Sequence, residues 1–199
     1  MNIIFKLSNN IIDSIHPYIK DTSNDVLEIA KYGLNVLLMD LYKLPIVFGF
    51  SYYLGIFKDC FLSYILFGLL RNHVHGLHMR SGRGCLFFSC ISLFSIIYIS
   101  KQVLIHWILK MIISLLVIYF ICKYAPADTE ERRLLNETTR KRKNKIYIFI
   151  GIIYITISFV FPNKVISNIF LLILVLECIM IHPITYKLFN RRYNNYEYF

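Results

Sequence analysis

His78 and Cys85 are the two side chains in this sequence best suited to covalent chemistry. They stand seven positions apart between two apolar segments, with Ser81-Gly82-Arg83-Gly84 directly before the cysteine. On one continuous helix, positions with this spacing lie about 10 Å apart along the axis, too far for a hydrogen bond. Serine and glycine break helices and form turns, so the chain can fold Cys85 back toward His78. The spacing then predicts a thiol nucleophile with a histidine as its general base.

Cys85 also opens the next apolar segment, and a helix N-terminus there would favour the thiolate form. The competing interpretation is ordinary packing, because cysteines in apolar helices often act as small apolar residues. A zinc site of His73, His75 and His78 is the less favoured alternative. These histidines spread around a helix, and their HxxH pattern lacks the glutamate of the HExxH peptidases. No metal and no other cofactor is predicted.

The composition predicts an all-α membrane protein and excludes an ordinary soluble domain. Hydrophobic residues make up 57% of the 199 residues, and several apolar runs approach the roughly 20 residues that a helix needs to cross a bilayer. The run from Cys85 to Ser100 holds no charged side chain. No linker rich in proline, glycine and serine divides the chain, so residues 1–199 are expected to form one polytopic helical bundle. The five cysteines form no CxxC pair, which argues against a disulfide framework.

The apolar pattern predicts about six membrane spans after an N-terminal amphipathic helix at residues 1–20. This first helix is expected to lie on the membrane surface or, equally, to pack on the cytoplasmic face of the bundle. The first two spans have short apolar stretches and are expected to include adjoining polar turns, with Asp40 and Lys43 near the headgroups or inside the bundle. Hydrophilic loops are predicted at 71–84 and 123–145. The spans are predicted near 45–57, 60–70, 85–100, 103–122, 146–161 and 165–184.

Positive charge is concentrated in the segment 123–145 and around Lys187, Arg191 and Arg192, within a net charge of +10. In a membrane protein, basic loops mark the cytoplasmic side. The charge is therefore interpreted as topology in the cell membrane and not as nucleic-acid binding. Both termini and the 71–84 loop are then predicted to be cytoplasmic.

Lys110 and Glu177 fall within predicted spans, where ionisable residues default to a functional or structural role. Counted from the outer ends of their spans, their depths differ by about five residues, or about 7 Å of helix rise. The two side chains are predicted to form a buried ion pair.

Three segments resemble the accessory gene regulator protein B (AgrB) family of Gram-positive bacteria. The resemblance covers nearly the whole chain, and the first two segments together are specific. They are Arg71-x-x-x-His75-Gly76-x-His78-x-x-Ser81-x-x-x-Cys85, which looks like the family's active-site segment; Tyr124-Ala-Pro-Ala-Asp-Thr before a basic stretch, which is similar to its second cytoplasmic loop; and Lys31-Tyr-Gly33-Leu-Asn35, which resembles the segment before its first span.

The resemblance implies a membrane-embedded cysteine endopeptidase of peptide quorum sensing. It would cleave the C-terminal tail of an AgrD-type precursor through an acyl-enzyme thioester, from which the autoinducing peptide closes as a thiolactone or lactone. His78 and Cys85 would be its catalytic pair, and Arg71 and Gly76 match positions that the family needs for activity. Asn35 stands where some members carry glutamine or glutamate, so a role that needs a longer side chain is open here.

The implied precursor has an acidic C-terminal tail, and Arg71 is interpreted as a contact for it. Arg80 and Arg83 flank the same loop and are interpreted mainly as topology. Ser81 or Ser89 could orient the imidazole, although no third catalytic residue is evident. The basic run 140–145 could bind the same tail or anionic lipid, and lipid and topology are favoured. A homodimer is left open.

The main alternative function is a small transporter or channel without peptidase activity. Such a protein would be expected to have paired broken helices in two repeats, whereas this sequence has one broken segment and no inverted repeat. A transporter would tolerate Cys85→Ala and a peptidase would not, so this substitution separates the two hypotheses.

Overall fold

A computed structural model describes residues 2–15, 24–74, 76–77, 82–128 and 136–194. Within these ranges the chain forms eight helices and no β-strand, which confirms the predicted all-α fold class. The helices are α1 (Asn2–Ile15), α2 (Asn24–Tyr53), α3 (Phe57–Val74), α4 (Gly82–Gln102), α5 (Trp107–Tyr124), α6 (Glu137–Val160), α7 (Lys164–Ile181) and α8 (Pro183–Leu188).

Four helices are long and apolar enough to cross a membrane, namely the Gly84–Gln102 part of α4, and α5, α6 and α7. This finding supports the predicted multi-pass topology. The first two predicted spans correspond to α2 and α3, and their crossing of the bilayer stays a prediction. As expected, α2 includes polar turns before its apolar part and continues through Pro45, and α3 continues past its apolar part to Val74.

The centre of the bundle is α7, which packs against α3, α4, α5 and α6. Of its apolar stretch 61% is buried, against 17% to 22% in the other three candidate spans. A helix that is apolar on all sides is expected in such a position. On the periphery, α2 packs against α3 and α4, and α1 packs against α2.

Polar contacts join the helix ends around the short links 54–56, 103–106 and 161–163. Lys101 Nζ lies 2.9 Å from Asp59 Oδ2, and the Asn168 side-chain amide donates to Val103 O at 2.9 Å. The C-terminal ends of α3, α5 and α7 and the N-terminal ends of α4, α6 and α8 therefore lie at the opposite end of the bundle. We call this opposite end the site end.

Several predicted boundaries are wrong, because polar residues extend the helices beyond their apolar parts. The N-terminus of α4 is at Gly82 and not at Cys85, so the predicted loop 71–84 loses 82–84 to α4. Its first residues, 71–74, belong to α3, in line with the expected continuation of that helix. The predicted loop 123–145 is also too long. Asn136 caps α6, since its side chain accepts hydrogen bonds from the N–H groups of Thr138 and Thr139, and the basic run 140–145 is consequently helical.

Candidate active site

Cys85 lies in the first turn of α4, three residues after the helix begins at Gly82. Its side chain is half-buried. Lys43 Nζ, on α2, donates a hydrogen bond to the sulfur at 3.3 Å, and only 8% of Lys43 is exposed. The Cys85 thiol thus lies in the first turn of a helix, where the helix dipole interacts favourably with negative charge. The ammonium group of Lys43 contacts the same sulfur.

Sequence analysis placed Lys43 inside the bundle or near the headgroups and missed its contact with the thiol. The available signal was an ionisable side chain beside an apolar run, which in a membrane protein indicates a partner. Forty-two residues separate Lys43 from Cys85. Only the packing of α2 against α4 shows that the two side chains meet.

The predicted general base His78 lies outside the described residues, as do Arg80 and Ser81 and the side chains of Asn35 and Arg83. The pairing of His78 with Cys85 therefore stays a prediction. The residues that flank this segment, Leu77 before it and α4 from Gly82 onward, are described. They define the two points between which the chain carries His78.

Gly76 and Leu77 are held by backbone hydrogen bonds to two distant parts of the chain. The Gly76 N–H donates to Ala127 O at 2.9 Å, and the Ala127 N–H donates to Val74 O at 3.1 Å. The Leu77 N–H donates to Met180 O, near the end of α7, at 3.1 Å. The two segments singled out from sequence, which begin at Arg71 and at Tyr124, are thus in direct contact. We call this set of hydrogen bonds the Gly76 clamp.

Gly76 occupies a position that a side chain would disrupt. Its φ is +65°, in the left-handed region that favours glycine. A Cβ atom there would lie 2.8 Å from Arg71 Nη1 and 3.4 Å from Met180 O. Both the conformation and the available space therefore require glycine beside the arginine.

Arg71 is directed into the protein. Its Nη2 donates to Leu77 O, its Nη1 lies 3.9 Å from Glu177 Oε2 on α7, and its guanidinium lies over the Phe67 ring at 5.8 Å from the centroid. The Arg71 side chain is 18% exposed and that of Glu177 is fully buried. These contacts favour a role in holding the Gly76 clamp over the predicted contact with an acidic tail.

The predicted ion pair of Lys110 with Glu177 is wrong. Lys110 Nζ donates to Ser158 O at 2.9 Å and to Ser167 Oγ, whereas Glu177 lies beside Arg71. The depth count failed because α5 begins at Trp107 and not at Val103. Lys110 is consequently close to the end of its helix and about 15 Å of helix rise from the level of Glu177.

Lys110→Met is expected to lower the thermal stability of the detergent-solubilised protein and to leave thiol chemistry unchanged. The ammonium joins α5 to the α6–α7 turn, and loss of hydrogen bonds to a charged group costs about 1.5–3 kcal/mol. Thermal unfolding of the variant and of Ser167→Ala measures the effect. A Lys110→Met protein as stable as the parent would refute this structural role.

The segment 125–128 is supported by α8 and the residues after it, neither of which was predicted to contribute. The Tyr186 hydroxyl donates to Asp128 O at 3.1 Å, and the Tyr193 hydroxyl donates to Tyr124 O at 3.3 Å. Burial raises the pKa of the Tyr186 phenol far above its ordinary value, so it stays a neutral donor. The described residues from α8 to Tyr193 thus support the site end.

A basic cavity of about 250 Å³ opens beside this segment. Its lining includes Lys123, Arg140 and Lys141, together with Glu137, whose carboxylate is 2.7 Å from Lys141 Nζ. The cations outnumber the carboxylate, so the cavity suits an anionic group. The helical basic run 140–145 therefore contributes side chains to a concave surface.

Comparison with known proteins now gives the family. A family model described as "Accessory gene regulator B" matches residues 8–181. This chain belongs to that family. The AgrB resemblance seen in the motifs is thereby confirmed, and the Gly76 clamp shows that two of the AgrB-like segments are joined in space.

The relatives include three proteins from different genera. A "Putative AgrB-like protein" of Clostridium acetobutylicum is 28% identical over 98% of this chain and 93% of its own length. A protein of the same description from Listeria innocua is 29% identical over 89% of this chain and 87% of its own length. The "Accessory gene regulator protein B" of Staphylococcus carnosus is 29% identical over 65% of this chain and 67% of its own length. No solved structure gives a significant match.

AgrB membership and the four apolar helices together indicate a multi-pass membrane protein of accessory gene regulator quorum sensing. Membership also implies an AgrD-type partner.

Proposed function

We propose that this AgrB protein is a membrane-embedded cysteine endopeptidase. It cleaves the C-terminal tail from an AgrD-type precursor through an acyl-enzyme thioester on Cys85, and so allows the autoinducing peptide to close as a thiolactone or lactone. The whole chain acts as one domain, with His78 as the general base and acid.

The reaction consists of two acyl transfers. His78 takes the thiol proton, and the Cys85 sulfur attacks the carbonyl carbon at the cleavage point. The C–N bond breaks, the tail leaves as an amine with the proton from His78, and a thioester remains. A thiol or hydroxyl within the precursor then attacks the thioester and gives its proton to His78. The ring closes, and Cys85 leaves as the thiolate.

The observation that carries this proposal is the Gly76 clamp, together with the position of Cys85 in the first turn of α4. Leu77, which directly precedes His78, is fixed to Met180 O at 3.1 Å, and Cys85 is fixed in the first turn of α4. A short segment between these two anchors carries the predicted base. Catalysis by an oriented pair depends on such positioning, because misplacement by about 1 Å can cost about 100-fold in rate.

The half-buried position of Cys85 also fits a site that excludes water. A thioester exposed to water would be hydrolysed to a linear peptide, and the ring would be lost. We place the site end on the cytoplasmic side, because the described segments there carry a cluster of cations: Lys123, Arg140, Lys141, Arg142, Lys143, Lys145, Lys187, Arg191 and Arg192. The basic cavity at this end is the proposed place for the acidic tail.

Co-expression with a tagged AgrD-type precursor tests the peptidase. The parent is expected to release a shortened peptide and to carry a thioester-linked adduct on Cys85, both detected by mass. Cys85→Ala, Cys85→Ser and His78→Ala are expected to lose cleavage by at least about 1,000-fold. Cys122→Ala is the matched control and should cleave like the parent, because Cys122 is an exposed residue of α5.

Cleavage that survives Cys85→Ala would overturn the peptidase and leave the transporter as the alternative. An adduct without ring formation in the parent would keep the peptidase and refute the cyclisation step.

A further inference from the structure

We propose that Lys43 is a positioning residue that holds Cys85 as an oriented thiolate before the precursor binds. The proposal deepens the peptidase mechanism and rests on it. It adds a third side chain, from α2, to the predicted pair of His78 and Cys85, which both lie in one segment of the sequence.

The contact between Lys43 and Cys85 has the geometry of a charge-assisted hydrogen bond to sulfur. Lys43 Nζ lies 3.3 Å from Sγ, and the ammonium donates up to three hydrogen bonds and accepts none. A cation at this distance favours the thiolate over the thiol, and the thiolate is the form that attacks a carbonyl. The hydrogen bond also fixes the direction of the sulfur relative to α2.

Burial of Lys43 supports the same assignment. The residue is 8% exposed, and removing an ammonium from water is costly unless an anion or several acceptors replace the water. A thiolate in the first turn of α4 is one such anion, in addition to the other contacts of Lys43. The helix dipole and the ammonium then act on the sulfur in the same direction.

Other titratable groups on the helices packed around this contact have different described neighbours. Asp59 of α3 pairs with Lys101, and Glu177 of α7 lies beside Arg71. Three further titratable groups, Cys60, Tyr64 and Cys90, pack in or against the apolar cluster built on Val47 and Leu93.

The proposal assigns separate tasks to Lys43 and His78. His78 takes the thiol proton before the precursor binds, Lys43 then holds the negative charge on sulfur in the resting enzyme, and His78 delivers that same proton to the departing amine. Loss of Lys43 should therefore change the pH dependence of the thiol itself, in the absence of precursor. A side chain that only fills space would leave that dependence unmoved.

Alkylation of the purified full-length protein tests this inference. Iodoacetamide labelling of Cys85 is followed by peptide mass mapping across a range of pH, with the Cys122 peptide as internal reference. Lys43→Met is expected to slow Cys85 labelling about tenfold or more at pH 7, with a profile displaced to higher pH and rates that converge with the parent in strong base. Lys43→Arg should restore most of the rate.

The matched control is Lys58→Met, since Lys58 is an exposed lysine at the far end of the α2–α3 hairpin. It should label like the parent. A Lys43→Met profile identical to the parent overturns the proposal, and so does slowing by one constant factor at every pH, which would indicate altered access alone. If Lys43→Met does not fold, Lys43→Gln takes its place, and failure of both neutral variants to fold would assign Lys43 to the fold and refute the proposal.

Precursor cleavage measured on the same samples separates this inference from the peptidase. A displaced labelling profile in a protein that never cleaves precursor would refute the peptidase and keep the Lys43–Cys85 interaction. Parental labelling in a Lys43→Met protein would refute the role of Lys43 alone, provided that the parent cleaves.

Discussion

Gly76→Ala is expected to reduce precursor cleavage about 100-fold or more while the protein still accumulates in the membrane. Alanine in the left-handed conformation, which Gly76 adopts at a φ of +65°, costs about 1–2 kcal/mol. The new Cβ would also lie 2.8 Å from Arg71 Nη1, so the guanidinium or the backbone must move. Movement of the Gly76 clamp displaces the adjoining Leu77 and His78, and small displacements of a base have large effects on rate.

Gly68→Ala is the matched control for this substitution. Gly68 lies on α3, the helix that carries Arg71, and a Cβ atom there would have no heavy atom of the described chain within 4 Å. Cleavage of the tagged precursor, measured by mass against membrane content, should be parental in Gly68→Ala. Parental cleavage in Gly76→Ala as well would show that the clamp has no part in the reaction.

Sequence reasoning was strong for the apolar helices and for the position of Cys85 near the start of a helix, because both have local signals. The uncharged run from Cys85 to Ser100 predicts a buried or spanning helix by itself. The break predicted at Ser81-Gly82-Arg83-Gly84 is wrong for its last three residues, which begin α4. The glycine of this region with a left-handed conformation is Gly76, which was not part of the predicted break. The fold class and the predicted nucleophile at a helix start needed no knowledge of long-range contacts.

Sequence reasoning failed where the partner of a side chain is far along the chain. The interpretation of Arg71 as a contact for an external carboxylate stays a prediction, but the contact of its guanidinium with Glu177 of α7 was missed. Lys110 was paired with that same glutamate from a depth count, and an error of about one helical turn in the start of α5 was enough to choose the wrong partner. The contact between Lys43 and Cys85 depends on how α2 lies against α4, which apolar periodicity does not determine.

The Arg71→Met variant is expected to be unable to cleave the precursor, because the Leu77 carbonyl loses its hydrogen-bond donor. The Glu177→Leu variant should mainly be less stable. Removing one partner of a buried charged pair destabilises a protein by about 3–5 kcal/mol, since the other charge is left uncompensated. The double variant should therefore be more stable than the sum of the single losses predicts. It should still not cleave the precursor, because the clamp is missing its arginine.

The kinetic signature separates this positioning role from direct binding of an acidic tail. If Arg71 bound the tail, its loss would raise the KM for the precursor. The KM for a precursor with a neutral tail would then be the same in the variant and in the parent. If Arg71 holds the clamp, kcat falls for acidic and neutral tails alike. The inward guanidinium, 3.9 Å from a fully buried carboxylate, leads us to expect the second result. Lys101 and Asp59 form a partly exposed pair at the end of the bundle opposite the site end. The same double-mutant cycle on them should give a coupling of at most about 1 kcal/mol and parental cleavage.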